Sequence, residues 1–285
     1  NDAPSQLGAV DTLAYTENDA ATVIDSAIDT PVDDDDTNLK SATVTISNNL
    51  VAGDALSGTY SSGANFTYAW SSPTLTITAA GGGKSLAEFD AALQSVTFVS
   101  TSNDPTSAAR TLSWVLTDDD DASSAARTST VNVTPANDAP TDITIDSGNS
   151  DSIAENISEG TTVGALATTD ADSGDTHTYT ITGGTGSTLF SVSGSNIVTK
   201  EGSSFDFETT TSYTLIVQTA DSGTGSLTYS ETLTINITDV NESPTDIALS
   251  SSSILENQGS YSQIGIFSNT DSDNGETYTY SLVSG

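Results

Sequence analysis

The chain repeats itself at fixed distances, and this constrains its fold more than any other feature. Asn1-Asp2-Ala3-Pro4 returns as Asn137-Asp138-Ala139-Pro140, 136 residues on, and a variant, Asn241-Glu242-Ser243-Pro244, follows after another 104. Ala154-Glu155-Asn156 returns as Leu255-Glu256-Asn257, Asp170-Ala171-Asp172 as Asp271-Ser272-Asp273, and Tyr179 as Tyr280, each 101 residues on. Several signals sharing one offset mark tandem structural repeats. The chain then divides into a first unit at 1–139, a second at 140–243, and the opening of a third at 244–285. The third is expected to be incomplete unless another segment completes it. With no methionine and a linker-like start, the chain is expected to be a section of a longer array.

Within 140–243 the alternation predicts about seven strands: Asp142–Ile145, 162–168, 177–182, Phe190–Ser193, Asn196–Thr199, 212–219 and 227–237. Inward positions should be Ile181, Phe190, Ile197, Tyr213, Leu215, Val217, Leu233 and Ile235. Seven short strands in about 100 residues is the pattern of a β-sandwich with Greek-key connections. The fold class is therefore all-β, tandem Greek-key β-sandwiches. The first unit adds one short helix, Leu86–Leu93. There Ser85-Leu86-Ala87-Glu88 forms a capping box, and Leu86, Phe89 and Leu93 share one face. Trp70 and Trp114 are expected in the core of that unit.

Charge sharpens the picture. The chain carries 39 acidic and 5 basic side chains, a formal net charge of −34, and no cysteine. Nucleic-acid binding is disfavoured, because neutralising phosphates needs Lys and Arg. Disulfides and cysteine-ligated zinc are ruled out, and no apolar run approaches the ~20 residues of a membrane span. High charge with low hydrophobicity is often a mark of disorder, but the alternating Thr-rich segments argue for sheets. A folded chain with so many carboxylates repels itself unless something neutralises it.

The carboxylates cluster at strand ends and junctions. Near the boundary of the second and third units lie Glu155, Asp206 and Glu208, Asp239, Asn241 and Glu242, and Asp271 and Asp273. An i, i+2 pair in an extended segment shares one face, so each pair can address one cation. Carboxylates and Asn without His or Cys suit a hard cation, and Ca²⁺ takes six to eight such oxygens in flexible geometry.

These residues resemble a cadherin repeat in order: Ala154-Glu155-Asn156, Asp170-Ala171-Asp172, Asp206-Phe207-Glu208, Ala220-Asp221-Ser222 and Asp239-Val240-Asn241-Glu242. The resemblance covers the second unit and the fragment of the third. It implies Ca²⁺ at the junctions of successive repeats. At the second junction the implied ligands are Glu155, Asp206, Glu208, Asp239, Asn241, Glu242, Asp271 and Asp273. At the first they are Glu17, Asn137, Asp138, Asp170, Asp172 and Asp221. The first unit has no clear Asp-x-Glu, and Asn103-Asp104-Pro105 occupies roughly that place, which adds Asp104. Pro135 stands where Asp239 stands in the next linker, so the first junction is expected to hold fewer ions. The first unit more closely resembles the cadherin-like repeats of large bacterial (RTX-type) surface adhesins. It shares with them the 86–93 segment, Asp104-Pro105, Thr117-Asp118 and the Asn-Asp-Ala-Pro linker.

Asp33–Asp36 and Asp118–Asp121 read either as solvated loops or as a further calcium site shared with a preceding repeat. His177, the only histidine, reads as a surface strand residue. With no second His and no Cys, catalysis is not expected. Asn65, Asn132, Asn156 and Asn236 fit the N-glycosylation pattern, which a Thr-rich chain meets often by chance. The expected role is an extracellular, calcium-rigidified stalk section of a surface adhesin. Its partners would be adjacent repeats of the same chain, and homophilic contacts or surface glycans are further candidates. The alternative is a calcium-stabilised filament whose third unit is completed by a neighbour. Another reading makes the first unit a carbohydrate- or cell-binding module through exposed Tyr60 or Tyr68.

Overall fold

A computed structural model describes residues 2–5, 11–60, 65–145 and 151–283. The contacts group the chain into two compact units. One comprises Asn1–Asp138 with Ala171–Gly174, the other Ala139–Asp170 with Asp175–Gly285.

The first compact unit holds β1 (Thr12–Thr16), β2 (Thr22–Val23), β3 (Asn38–Asn48), β4 (Asp54–Gly58), β5 (Phe66–Ser71), β6 (Thr74–Ala79) and β7 (Lys84–Ser85). Helix α1 (Leu86–Leu93) follows, then β8 (Val96–Ser100), β9 (Arg110–Asp118) and β10 (Arg127–Thr134). One sheet runs β1-β10-β9-β3-β6-β5, with β7 on the end of β3, and a smaller sheet runs β2-β8-β4. Strict alternation in β9 buries Arg110, Leu112, Trp114, Leu116 and Asp118 on one face. Leu56, Val96 and Phe98 complete the core with them. Tyr15 meets Phe98 edge-on at 5.1 Å between ring centroids. Trp114 is buried because its Nε1–H finds Ser129 Oγ at 2.8 Å. Trp70 lies on edge strand β5 and is only half-buried.

Helix α1 has the predicted bounds. Ser85 Oγ accepts from Glu88 N, and the Glu88 carboxylate accepts from Ser85 N, so two helix-end donors are satisfied reciprocally. Phe89, Ala92 and Leu93 are buried, and Leu86 packs at the rim. Tyr60 and Tyr68 are not the exposed platform expected of a glycan surface. Both pack half-buried against the core, and the Tyr68 hydroxyl pairs with Ser95 Oγ at 3.0 Å.

The second compact unit holds β11 (Asp142–Ile145), β12 (Ser152–Ala154), β13 (Thr162–Thr169), β14 (Thr178–Gly183), β15 (Phe190–Ser193), β16 (Asn196–Thr199), β17 (Ser212–Ala220) and β18 (Thr228–Thr238). They form two four-stranded sheets, β11-β13-β16-β15 and β12-β18-β17-β14. The eighth strand, β12, is three residues long and pairs parallel with the end of β18. Phe190, Ile197, Leu215, Val217 and Ile235 are fully buried as expected. Ile181, Tyr213 and Leu233 only pack against that core. The eleven residues of β18 outrun the four-residue strands β15 and β16 opposite, which leaves its first half partly uncovered.

In the same compact unit, β19 (Asp246–Leu249) and β20 (Phe267–Thr270) form a two-stranded sheet. Its register, Asp246↔Thr270 to Leu249↔Phe267, reproduces that of β11 and β13, Asp142↔Thr169 to Ile145↔Leu166. Ile143 and Val163 are buried, whereas their counterparts Ile247 and Ile264 are exposed. No third strand joins this pair among the described residues. Apart from one short helix, the architecture is all-β, built of packed β-sheets.

Candidate metal centre

Among the described residues, four groups of three carboxylates bring their oxygens within 4.8 Å of one another. In the second compact unit, Glu155 follows β12, Asp206 and Glu208 precede β17, Asp239 to Glu242 follow β18, and Asp271 and Asp273 follow β20. Carboxylate oxygens of Glu155, Asp206 and Glu208 lie within 4.8 Å of one another, as do those of Glu208, Asp239 and Asp273. Glu208 belongs to both sets, so two adjacent cation positions can share it.

Backbone donors aim these side chains. Glu155 is buried and accepts Phe207 N on Oε2 at 2.8 Å and Val240 N on Oε1 at 2.9 Å. Glu242 N donates to Asp273 Oδ2 at 2.7 Å, and Asp273 N donates to Asp271 Oδ1 at 3.3 Å. Asn156 Nδ2 donates to Glu242 Oε1. Asn241 turns its Nδ2 to Glu242 O at 2.9 Å. Asp206 also closes its own turn, accepting Thr209 N and Oγ1. Glu242 Oε2, Asp271 Oδ2 and Asp273 Oδ1 are buried oxygens without a hydrogen-bond partner. Burial first, then the charges on Glu155 and Asp273, push the Glu242 carboxyl up.

A set in the first compact unit has the same wiring. Glu17 is buried, and its Oε2 accepts Ala136 N at 2.8 Å. Asp138 N donates to Asp172 Oδ2 at 2.7 Å. Ala136 and Asp138 stand 104 residues before Val240 and Glu242, and Asp172 stands 101 before Asp273. Glu17 Oε1 is buried without a hydrogen-bond partner. Its carboxyl is pushed up, first by burial and then by Asp138, Asp172 and Asp104, against the pull of the Ala136 N–H. Asp104 Oδ2 accepts Ser173 Oγ at 2.7 Å, and Asn137 sits half-buried between Ala136 and Asp138.

Two further groups remain. Asp170, Asp175 and Asp221 bring carboxylate oxygens within 4.8 Å of one another in the second compact unit. Asp170 Oδ2 meets His177 Nε2 at 2.8 Å, and Asp221 Oδ1 accepts Leu227 N at 3.0 Å. Asp33, Asp35 and Asp36 form a similar group in the first. There Asp33 Oδ1 caps the backbone of Asp35 and Asp36 while its Oδ2 is buried without a hydrogen-bond partner. The buried oxygens of Glu17, Asp33, Glu242, Asp271 and Asp273 that lack a hydrogen-bond partner fit a hard, oxygen-loving cation of the Ca²⁺ type. When bound, such an ion supplies positive charge that cancels the mutual repulsion of its ligands.

Sequence reasoning passed over Asp175, whose Oδ2 is buried, and the asparagines that follow each glutamate. Asn18, Asn156 and Asn257 all hold positive φ, at 64°, 57° and 63°. Asn tolerates this left-handed conformation better than other side chains. The recurrence of Glu-Asn was the signal available for that turn.

Residues 149–238 match the family model described as Cadherin domain. No curated protein matches the chain by sequence. Among solved structures, Protocadherin Gamma B7 extracellular cadherin domains 1–4 are 20% identical with a TM-score of 0.51. The match covers 96% of this chain and 60% of that one. The Protocadherin GammaB4 extracellular domain is 21% identical with a TM-score of 0.50, over 95% of this chain and 38% of that one. The chain thus spans less than two thirds of the length of these neighbours. Its fold is like that of these cadherin domains, and the match to the cadherin domain model lies on residues 149–238.

Proposed function

We propose that this chain is a section of a long extracellular bacterial surface adhesin, a stalk stiffened by Ca²⁺ held at its inter-repeat junctions. One observation carries the reading. The pattern of a buried glutamate receiving a linker N–H, with the next-but-one linker N–H given to the second Asp of an Asp-x-Asp, occurs twice at the repeat offset. Such duplication is expected of a ligand cage rebuilt at each repeat and not of a solubilising coat. The proposed ligands are Glu17, Asp104, Asn137, Asp138, Asp170, Asp172 and Asp221 in one set. In the other they are Glu155, Asp206, Glu208, Asp239, Asn241, Glu242, Asp271 and Asp273. Extracellular modules bind Ca²⁺ at about 10⁻⁴–10⁻³ M, so stiffness would follow the surroundings. Its direct partners are then adjacent repeats of the same chain. Small-angle scattering tests this: chelation should shorten the maximum dimension and broaden its distribution. Identical scattering with and without Ca²⁺ would sink the stalk reading.

A second reading is a calcium-stabilised filament in which 244–283, whose Ile247, Ile266 and Phe267 are exposed, packs against a neighbouring chain. A neighbour's strand added beside β20 would cover them. Electron microscopy separates the two, since periodic fibres favour the filament and isolated rods the stalk.

A further inference from the structure

Arg110 is the largest fully buried side chain of the first unit, and the proposed calcium cage makes no use of it. It opens β9 and lies against Asp54, which opens β4. Its Nε donates to Asp54 Oδ2 at 3.0 Å, with both side chains at 0% exposure. Asp54 Oδ2 also accepts Val51 N at 2.9 Å. The pairing is incomplete, because Asp54 Oδ1 and Arg110 Nη2 are buried without hydrogen-bond partners. A buried ion pair repays its desolvation only when geometry is excellent and the remaining donors and acceptors are satisfied. Stability alone is therefore a poor reason for this pair.

The rest of the guanidinium points to another reason. Nη1 donates to two carbonyls of the loop that precedes β9, Thr106 O at 2.5 Å and Ala108 O at 2.8 Å. The same loop, residues 101–109, is tied down elsewhere. Thr101 N donates to Gly53 O at 3.1 Å, and Asn49 Nδ2 donates to Ala109 O at 2.8 Å. Gly53 holds φ +99°, and a Cβ there would sit 2.8 Å from Ser102 N, so the loop lies directly on the 51–54 turn. Pro105 is buried. At the middle of this fastened loop sits Asp104, exposed, with its carboxylate on Ser173 Oγ and its charge felt by Glu17. In the second unit the comparable acidic pair, Asp206 and Glu208, rides on its own helical turn, where Thr210 N donates to Asp206 O at 2.9 Å. The first unit has no such turn at this place.

We infer that Arg110, held by Asp54, is a positioning residue that fixes the 101–109 loop so that Asp104 completes the cation cage of Glu17, Asp138 and Asp172. The inference rests on the calcium reading given above. A guanidinium suits this task because Nε and Nη1, held apart in one rigid plane, serve the carboxylate and the two carbonyls in fixed directions, whereas the three donors of an ammonium sit on a single rotating nitrogen.

Calcium titration of the full chain, followed by amide NMR, tests it. The Ala136 and Asp138 amides report the first cage, and Val240 and Glu242 report the second as an internal control. Arg110→Met with Asp54→Asn removes both charges and keeps an acceptor for Val51 N. It should weaken calcium at the Ala136 and Asp138 reporters about tenfold, the factor that 1.4 kcal/mol of lost ordering gives, with Val240 and Glu242 unmoved. Asp104→Asn should weaken the same reporters in the unaltered chain, yet add almost nothing in the double variant. Arg110→Lys retains the charge beside Asp54 and serves also if the double variant does not fold. It should weaken binding like the double variant, whereas recovery of full affinity by Lys would overturn the positioning role. Additive effects of the Asp104 and Arg110 changes would overturn it too, as would equal weakening at both cages. Reporters of the unaltered chain that ignore calcium would overturn the calcium reading itself, a distinguishable result.

Discussion

Calcium should raise the melting temperature of this chain, and the size of the rise follows from the cages. The set around Glu155 and Glu208 offers two adjacent cation positions within a repeat of about 100 residues, 140–243. A ligand present at 100 times its dissociation constant stabilises the folded state by about 2.7 kcal/mol. That ratio is met at about 10 mM Ca²⁺ for a site of about 10⁻⁴ M affinity. For a site of about 10⁻³ M the gain is roughly 1.4 kcal/mol. A domain of this size moves by about 4–8 °C per kcal/mol. One filled position therefore predicts a shift of roughly 6–20 °C, and two predict more. The assay is scanning calorimetry in chelator against calcium.

Screening is the rival explanation, because a chain of charge −34 gains from any salt. Working in ~0.15 M sodium chloride already shortens the Debye length to about 8 Å, so the extra ionic strength of the calcium salt adds little. A shift of under about 2 °C, or one that sodium chloride of equal ionic strength reproduces, refutes the ligand reading. Glu155→Gln locates the effect. Both oxygens of Glu155 accept backbone N–H groups, and a Gln amide can accept only one of them. The variant should lose about 1–3 kcal/mol in chelator and, separately, most of the calcium-induced shift of its unit. Equal calcium shifts in variant and parent would remove Glu155 from the cage.

Other tests are simpler. Burial and like charges hold the Glu17 and Glu242 carboxyls above the ordinary glutamate value, and burial with the Asp118–Asp120 charges does the same for Asp36. The folded chain therefore takes up protons more readily than the unfolded one. In chelator, urea midpoints should rise as pH falls from 7 through the raised values, with the gain complete near the unfolded value of about 4.3. Asp35 and Glu88 are shifted down, by the Asp2 N–H and the Ser85 hydroxyl first, and they oppose the gain at lower pH. A midpoint that falls steadily from pH 7 to 5 in chelator contradicts the repulsion account. Phe190→Ala opens a hole beside Phe205 and Tyr213 and should cost about 3–5 kcal/mol by urea unfolding of the second unit. Ser85→Ala removes the helix cap and should cost about 1 kcal/mol in the first unit only. Gly184→Ala combines φ +99° with a Cβ 2.3 Å from Thr214 O, and should lower the melting temperature more than Gly160→Ala, which meets open space.

What could be read from the residues alone was what is local or periodic. The capping box and the spacing of Leu86, Phe89 and Leu93 set both ends of α1, because the cap is adjacent to a helix of only eight residues. The offset carried even register, as β19 and β20 pair like β11 and β13. Tyr213 and Leu233 were harder. Alternation says which face a residue takes, but how far the opposite sheet extends over that face depends on the lengths of other strands. Asp175 escaped for a related reason: its partner Ser222 lies 47 residues away, and although Gly174-Asp175-Thr176 returns as Gly275-Glu276-Thr277, a single acidic residue in a turn does not announce a ligand.

Arg110 shows where the limit falls. In the chain it follows Thr106-Ser107-Ala108-Ala109 and reads as one more soluble loop end, while its counter-ion Asp54 stands 56 residues earlier in a turn. Only the sandwich brings the two together, on opposite sheets of one core. The same distinction separates the acidic residues. In the run Asp118–Asp121, Asp118 is fully buried and its Oδ1 accepts the amides of Asp120 and Ala122, whereas Asp119 to Asp121 are exposed. Composition counts these four alike. A carboxylate turned inward beside others, with an oxygen left unpartnered, is costly to keep unless a cation takes it, and Glu17 and Glu242 are of that kind. The net charge is thus a poor guide to function, and the few buried oxygens are the informative part of it.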